Sequence, residues 1–474
     1  MLHKQEAYDL IYTLEAIVLL KRIFVFLFLL LPFLAFAEKR EVDSKFPYFA
    51  FGEKSESILK LDLPLFDIPY QIDAMNTVGH GFFSSYANPG MSQSLAVTVD
   101  IYSGFNFGMK KFYDTSNMNS IFKYIIYYGG SILGQYALSF SPWGGFTWMH
   151  EEYHRAVMSL YGVNSFNTSY IFGSRVINIT DEDLERFKAE SPRDFIRAHA
   201  AGLESEHLFI DQLQRNNFFY NQNYFSEILY LISTIDIHTY MINKNSRSEI
   251  NETRIEERDF TGNDNIAWVY DLFRPNEPYS GRGIHPTGNG ISRYRNYDDL
   301  TDQEQAYFRK VGYWQFANYV SPMMFGFRSL PWPKSDIRWN FAFRHYLTSF
   351  GTDLQFNLLL NIDKYNIAFI YHSNQNYDHY FPVIEIEMID FPIIIKNFCI
   401  YFSPRIASGM QPKDQGFFTS EKEFYGLIGS RFDFQIAKKW LPYFEVIAKT
   451  DGWVAGNEFI DKNISFRLGI SARF

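Results

Sequence analysis

Apolar residues recur at every second position through much of 337–474, the period of strands with one greasy and one polar face. Residues 352–362 alternate almost perfectly, as do 337–343, 365–371, 384–388, 424–436 and 464–474, with 441–447 less clean. Clusters such as Ser373-Asn374-Gln375-Asn376, Lys413-Asp414-Gln415-Gly416 and Ala455-Gly456-Asn457 divide them as turns. Counting 393–402, the pattern predicts about eight strands of about ten residues.

Upstream the period changes to that of helices. Helices are predicted over 119–140, 146–161, 181–189, 191–211, 224–242 and 301–319, with short strands at 95–101 and 170–179. A polar stretch, 243–299, punctuated by Pro275, Pro278, Gly281, Gly283, Pro286, Gly288 and Gly290, reads as a lid or connection. Leu330-Pro331-Trp332-Pro333 marks a junction. Segregated helices and strands predict an α+β chain: a mostly helical part, 38–335, followed by an antiparallel β-barrel, 336–474.

The two ends speak to location. Lys21-Arg22, an apolar run from Ile23 and the ending Ala35-Phe36-Ala37 form the three parts of a secretory signal peptide, so 1–37 is expected to be removed and its first twenty residues suggest an over-extended start. At the other end the strand 464–474 closes on Phe474. This resembles the terminal strand of bacterial outer-membrane β-barrels. Aromatic residues, 19% of the chain, cluster near strand ends as interfacial girdles do. The resemblance implies export to the bacterial outer membrane, with its lipid as partner.

Composition narrows the field. A net charge of −9 argues against nucleic acid as the main partner. Mean hydropathy of −0.20 excludes a bundle of membrane-spanning helices but not a barrel. The single cysteine, Cys399, excludes an internal disulfide framework.

The candidate chemistry lies in His150-Glu151-Glu152-Tyr153-His154, an H-E-x-x-H sequence within the helix 146–161. Histidines four apart share a helix face and can converge on one Zn²⁺, while Glu151 stands beside them to take a proton from the attacking water. The segment resembles the active-site helix of the zincin metallopeptidases, and the resemblance covers that helix alone.

Catalytic zinc normally has a third protein ligand. In the next helix, with Ser191 as N-cap and Pro192 first, His199, Leu203, Glu206 and Ile210 share one face. This resembles the glutamate-ligand zincins and makes Glu206 the expected third ligand, with Glu204 and His207 as alternates. Their usual E-x-x-x-D pattern is missing, because Ile210 stands where the Asp should; His207 and Asp211 do have that spacing. His199, Tyr153, Arg155 and His285 are candidates for stabilising an oxyanion. His238, in an apolar run, reads as a core histidine.

The sequence thus predicts a zinc-dependent hydrolase at the outer membrane, most simply a metallopeptidase acting on peptide or protein, using His150, His154, Glu206 and Glu151. A lipid or cell-wall amide could be the target instead. The competing class is a non-catalytic barrel acting as pore, adhesin or assembly factor, with the H-E-x-x-H segment structural.

Overall fold

A computed structural model describes residues 58–474 except 79–85, 171–172, 223, 243–253, 333–336, 363–364, 396–397 and 438. The leader expected over 1–37 lies outside the described residues. The helices are α1 (Tyr70–Val78), α2 (Met91–Thr115), α3 (Ser120–Ser139), α4 (Phe146–Ser159), α5 (Asp181–Glu190), α6 (Pro192–Phe219), α7 (Glu227–Ile242), α8 (Asp264–Phe273) and α9 (Asp302–Trp314). The strands are β1 (Lys60–Ile68), β2 (Phe166–Tyr170), β3 (Gly173–Ile177), β4 (Leu330–Pro331), β5 (Arg338–Thr348), β6 (Gly351–Ile362), β7 (Tyr365–Gln375), β8 (Tyr380–Ile389), β9 (Phe391–Ile395), β10 (Phe398–Pro412), β11 (Lys422–Phe434), β12 (Trp440–Lys449) and β13 (Asn463–Arg473).

Eleven strands form one sheet in the order β1-β13-β12-β11-β10-β8-β7-β6-β5-β4, with β9 paired on β10. Every pairing in it is antiparallel. The sequence led to about eight strands; the difference has identifiable sources. The stretch 393–402 is two strands, because β9 folds back on a long β10, and β1 enters the sheet from the helical part to pair with β13. Ser55–Phe474 packs as one unit, with no division near 335.

Residues 95–101, expected as a strand, lie in α2. Seven residues of alternation fit either element, and tertiary packing decides for the helix. Met91, Ser94, Thr98, Tyr102 and Asn106 are buried at helical spacing, on a helix packed along β1. The polar stretch 243–299 likewise contains a helix, α8, started by Asn263, whose side chain accepts from the Ile266 N–H.

The sheet reverses the usual polarity of a soluble protein. Its inner face carries charged groups that are paired: Arg405 with Glu385 at 2.8 Å, Arg431 with Asp433 at 2.8 Å, Arg467 with Asp67 at 2.9 Å and His372 with Asp353 at 2.8 Å. Its outer face exposes Tyr371, Ile384, Ile386, Ile406, Phe424, Ile428, Ile464, Phe466, Leu468 and Ile470.

Helix α6 lies against that charged inner face. At 28 residues it is about 42 Å long, and it touches the sheet along its course. Near its start Arg197 pairs with Glu204, which accepts at 3.2 Å from Nε1 of Trp453 in the connection between β12 and β13. Further on, Gln214 accepts from Arg344 and Arg215 donates to Glu387. Just past its end Tyr220 donates to Asp390 at 2.6 Å. Ser191 caps it and Pro192 opens it, as the sequence implies.

Among the described residues the sheet is open, with β1 and β4 at its edges. Helices lie between those edges. Helix α2 packs on β1, α3 on α2 and α7 on α3, and the 3₁₀ turns Gln315–Tyr319 and Pro322–Phe325 join α7 to β5. Helices α4, α6 and α8 pack behind them and share one hydrophobic core.

Candidate functional site

Helix α4 brings His150 and His154 onto one face, their ring centroids 4.9 Å apart. The orientation of each ring is set by its Nδ1. His154 Nδ1 donates to the Ala198 carbonyl of α6 at 2.5 Å, and His150 Nδ1 meets Glu206 Oε1 at 2.8 Å. Both Nε2 atoms therefore turn the other way, toward Asp264 in the first turn of α8. Asp264 Oδ2 lies 3.0 Å from His150 Nε2 and 3.4 Å from His154 Nε2. The ligand atoms of His150, His154 and Asp264 all fall within 4.8 Å of one another, a grouping that could hold a metal ion.

Glu206, expected as the third ligand, thus sits at the opposite nitrogen of His150, where it fixes the ring rather than joining the donor group. The third member of the group is Asp264, which the sequence reading passed over as part of a loop. Two signals were present: Asn263 as an N-cap, and apolar residues at helical spacing from Ile266 to Phe273. The close approach of α4 to α6 depends on Gly202, because a Cβ there would run into the His150 ring.

Glu151 stands next to His150, partly accessible, and makes no hydrogen bond to another described residue. Burial pushes its carboxyl well up; His150 opposes the shift, and Asp259 and Asp264 add to it. Burial also acts to raise Asp264, but His154 and His150 outweigh it and hold that carboxyl below the usual range. Burial works to lower His150, and its hydrogen bonds to Asp264 and Glu206 raise it well above an ordinary histidine. Asp259 is pushed up to about 6 by burial, then by Asp264.

The other candidates lie outside this group. Glu204 pairs with Arg197 at 3.0 Å and accepts from the Gly456 N–H at 2.7 Å. His207 packs edge-on against Tyr346. His199 meets Asp271 Oδ2 at 2.8 Å, in a buried cluster with Lys188 and Arg282. Arg155 pairs with Glu152 and donates to the Ser165 carbonyl. His285 contacts Arg258 and Thr287. Tyr153 is fully buried. His238 contacts Phe316 and Tyr319 inside the helical wall. None of these is brought beside the two Nε2 atoms.

Chemically the arrangement offers two imidazoles, the Asp264 carboxylate and, next to His150 in the chain, the Glu151 carboxyl. Each imidazole's second nitrogen is tied to an acceptor, the usual support for a metal-ligating histidine. No family model, curated protein or solved structure matches this chain.

Proposed function

We propose that this protein is a zinc-dependent hydrolase of the bacterial outer membrane, most simply a metallopeptidase. The observation that carries the reading is the convergence of His150, His154 and Asp264 ligand atoms within 4.8 Å, with Glu151 next to His150 in the chain and in electrostatic reach of it. Two imidazoles and a carboxylate are the donor set of a catalytic zinc site that keeps one position open. Zinc supplies Lewis acidity, polarising the scissile carbonyl and acidifying the attacking water.

The remaining steps belong to the chain. Glu151 Oε accepts the proton of the attacking water and passes it to the leaving amine. Glu206 and the Ala198 carbonyl hold both rings with Nε2 toward the ion, and Asp264 supplies the compensating negative charge.

The membrane part of the reading rests on the inverted sheet. Burying the ten large apolar side chains of its outer face would be worth roughly 10 kcal/mol or more, comparable to the whole stability of a typical domain. A bilayer would cover such a face, and closure of the open sheet into a barrel is part of this proposal. No helix among the described residues is long and apolar enough to cross a membrane; the strands carry this proposal. Helix α6 fills the inner side, which argues against an open pore.

The test is direct. Purified protein should carry about one zinc per chain. Glu151→Gln should keep the zinc and lose hydrolysis, whereas Asp264→Ala should lose both. A second reading has its own support: the His150–Asp264 contact at 3.0 Å is satisfactory as a plain ion pair. Zinc-free protein of unchanged fold, even after incubation with the metal, would establish that reading instead.

A further inference from the structure

Helix α3 has its polarity reversed. On α5 the ordinary order holds: Glu182, Glu185 and Arg186 are exposed, whereas Leu184 and Phe187 are buried. On α3 the buried residues include Ser131 and Gln135, and Gln135 Nε2 donates at 2.7 Å both to Asn106 Oδ1 and to the Phe225 carbonyl. Its exposed side includes Ile121, Phe122, Ile125 and Leu133, the last exposed by 70%. The one charged residue of the helix, Lys123, lies near its start, where the amine donates to the Ser116 carbonyl ahead of the helix. A helix that turns an amide inward and large apolar groups outward forgoes the burial that drives packing in water. The sheet is inverted in the same sense.

The elements on either side of α3 hold the backbone of the sheet's edges. Along β1, the Asp62 N–H donates to the Asp100 carboxylate of α2, at 2.9 and 3.0 Å from its two oxygens. Along β5, the Phe343 N–H donates to the Val320 carbonyl at 3.1 Å and the His345 N–H to Asn318 Oδ1 at 2.8 Å. In hydrocarbon a bare N–H finds no water, so an edge within a bilayer has to be covered in this way. Helix α3 stands between the two covered edges. It packs on α2, and its Tyr128 ring meets Phe225, just before α7, at 4.8 Å. The turns 315–325 beyond α7 expose Phe316, Val320 and Phe325. Helix α7 itself exposes Asp236 beside Ile232 and Ile242, and differs in that from α3 and the turns.

We infer that the outward face of α3, together with that of the turns 315–325, is a lipid-contact surface, over which the acyl chains that cover the sheet continue from β1 to β5. This rests on the membrane reading above and names the elements that close the barrel. The dimensions agree: the 20 residues of α3 make a helix of about 30 Å, and the hydrocarbon core of a bilayer is about 30 Å thick. Contact with lipid on one side only also accounts for α3 being too polar overall to cross a membrane alone, because its other side packs on polar groups of the protein. A partner protein seated on α3 would leave the apolar face of the sheet bare. A bilayer covers both.

The experiment reads the wall without relying on activity. Full-length protein with Cys399→Ser, reconstituted in phosphatidylcholine vesicles, is spin-labelled in turn at Ile125→Cys, Leu133→Cys and Phe316→Cys. Ile428→Cys on the outer face of the sheet and Glu182→Cys on α5 serve as references. Collision with oxygen, which concentrates among acyl chains, is compared with collision with a water-soluble nickel chelate. The three wall labels should share the high oxygen-to-nickel ratio of Ile428→Cys. Wall ratios as low as that of Glu182→Cys, beside a high one at Ile428→Cys, would overturn the inference and leave the membrane reading intact. Low ratios at every position would remove the membrane reading and the inference with it. Labels on α3 that are immobilised and shielded from both reagents would give the face to a second copy of the chain, which also overturns the inference. Ile125 and Leu133 lie about two turns apart on one helix, so either label decides the outcome if the other variant fails to fold.

Discussion

Gly202 sets the distance between the helix that carries the histidines and the helix that orients them. Because an added Cβ would overlap the His150 ring, Gly202→Ala should push α4 away from α6 and lower zinc content at least about tenfold, a loss typical of disturbed support around a metal, while circular dichroism stays close to wild type. Glu206→Gln should weaken zinc by about 10- to 100-fold without abolishing it, since it removes an orienting charge and not a donor; isothermal titration with zinc would read both. Away from the site, Asp271 is the residue with most at stake. Burial disfavours its charge, but Arg282, His199 and Lys188 hold the carboxyl below the usual range. Asp271→Asn leaves buried cations short of a partner, and should cost about 3–5 kcal/mol in unfolding experiments at pH 7. A depressed carboxyl contributes stability above its unfolded pKa of about 4 and loses it as pH falls through the lower folded value, so the gap between wild type and variant should close under acid. His150 and His154 were legible because their spacing is local. Asp264 was not, because it reaches His150 across 114 positions from a segment whose prolines and glycines conceal a ten-residue helix.

At the scale of elements, local chemistry was the reliable guide. The signals that open α6, Ser191 and Pro192, act within four residues, and Ser191→Ala should lower stability by about 1 kcal/mol in thermal or urea melts. The capping box at Thr180 and Asp183 opens α5 for the same reason. Errors arose where two elements share a pattern. Leu95, Val97, Val99 and Ile101 alternate, yet Tyr102 and Asn106 extend a helical face beyond them, and contact with β1 selects it. In β10 the run Ser403-Pro404-Arg405 breaks the apolar alternation, so a 15-residue strand looked like a shorter one ending near Phe402. The inner-face arginines and acids explain this: a strand that supplies charged pairs to an enclosed face loses the simple contrast that a sequence window detects.

For the molecule as a whole, alternation reveals that a strand has two faces but not which one is enclosed. In β11 the inward set is Glu423, Tyr425, Leu427, Gly429, Arg431 and Asp433, and the outward set includes Phe424 and Ile428; only the position of α6 identifies the first as interior. This orientation makes a sharp prediction. Ile428→Arg should cost about 2–4 kcal/mol in protein folded in a bilayer, whereas the same change on a water-facing surface would stay within about 0.5 kcal/mol; equilibrium unfolding from vesicles would separate the two. One pairing has a consequence in time. Because β1 lies near the start of the described chain and its partner β13 near the end, the seam between them cannot form until β13 has been made. Until then β1 has no strand partner and is an open edge prone to pairing with other chains, so the unfinished polypeptide must be kept apart from its own copies, and a truncated chain lacking 60–68 should accumulate as aggregates rather than as a stable shorter protein.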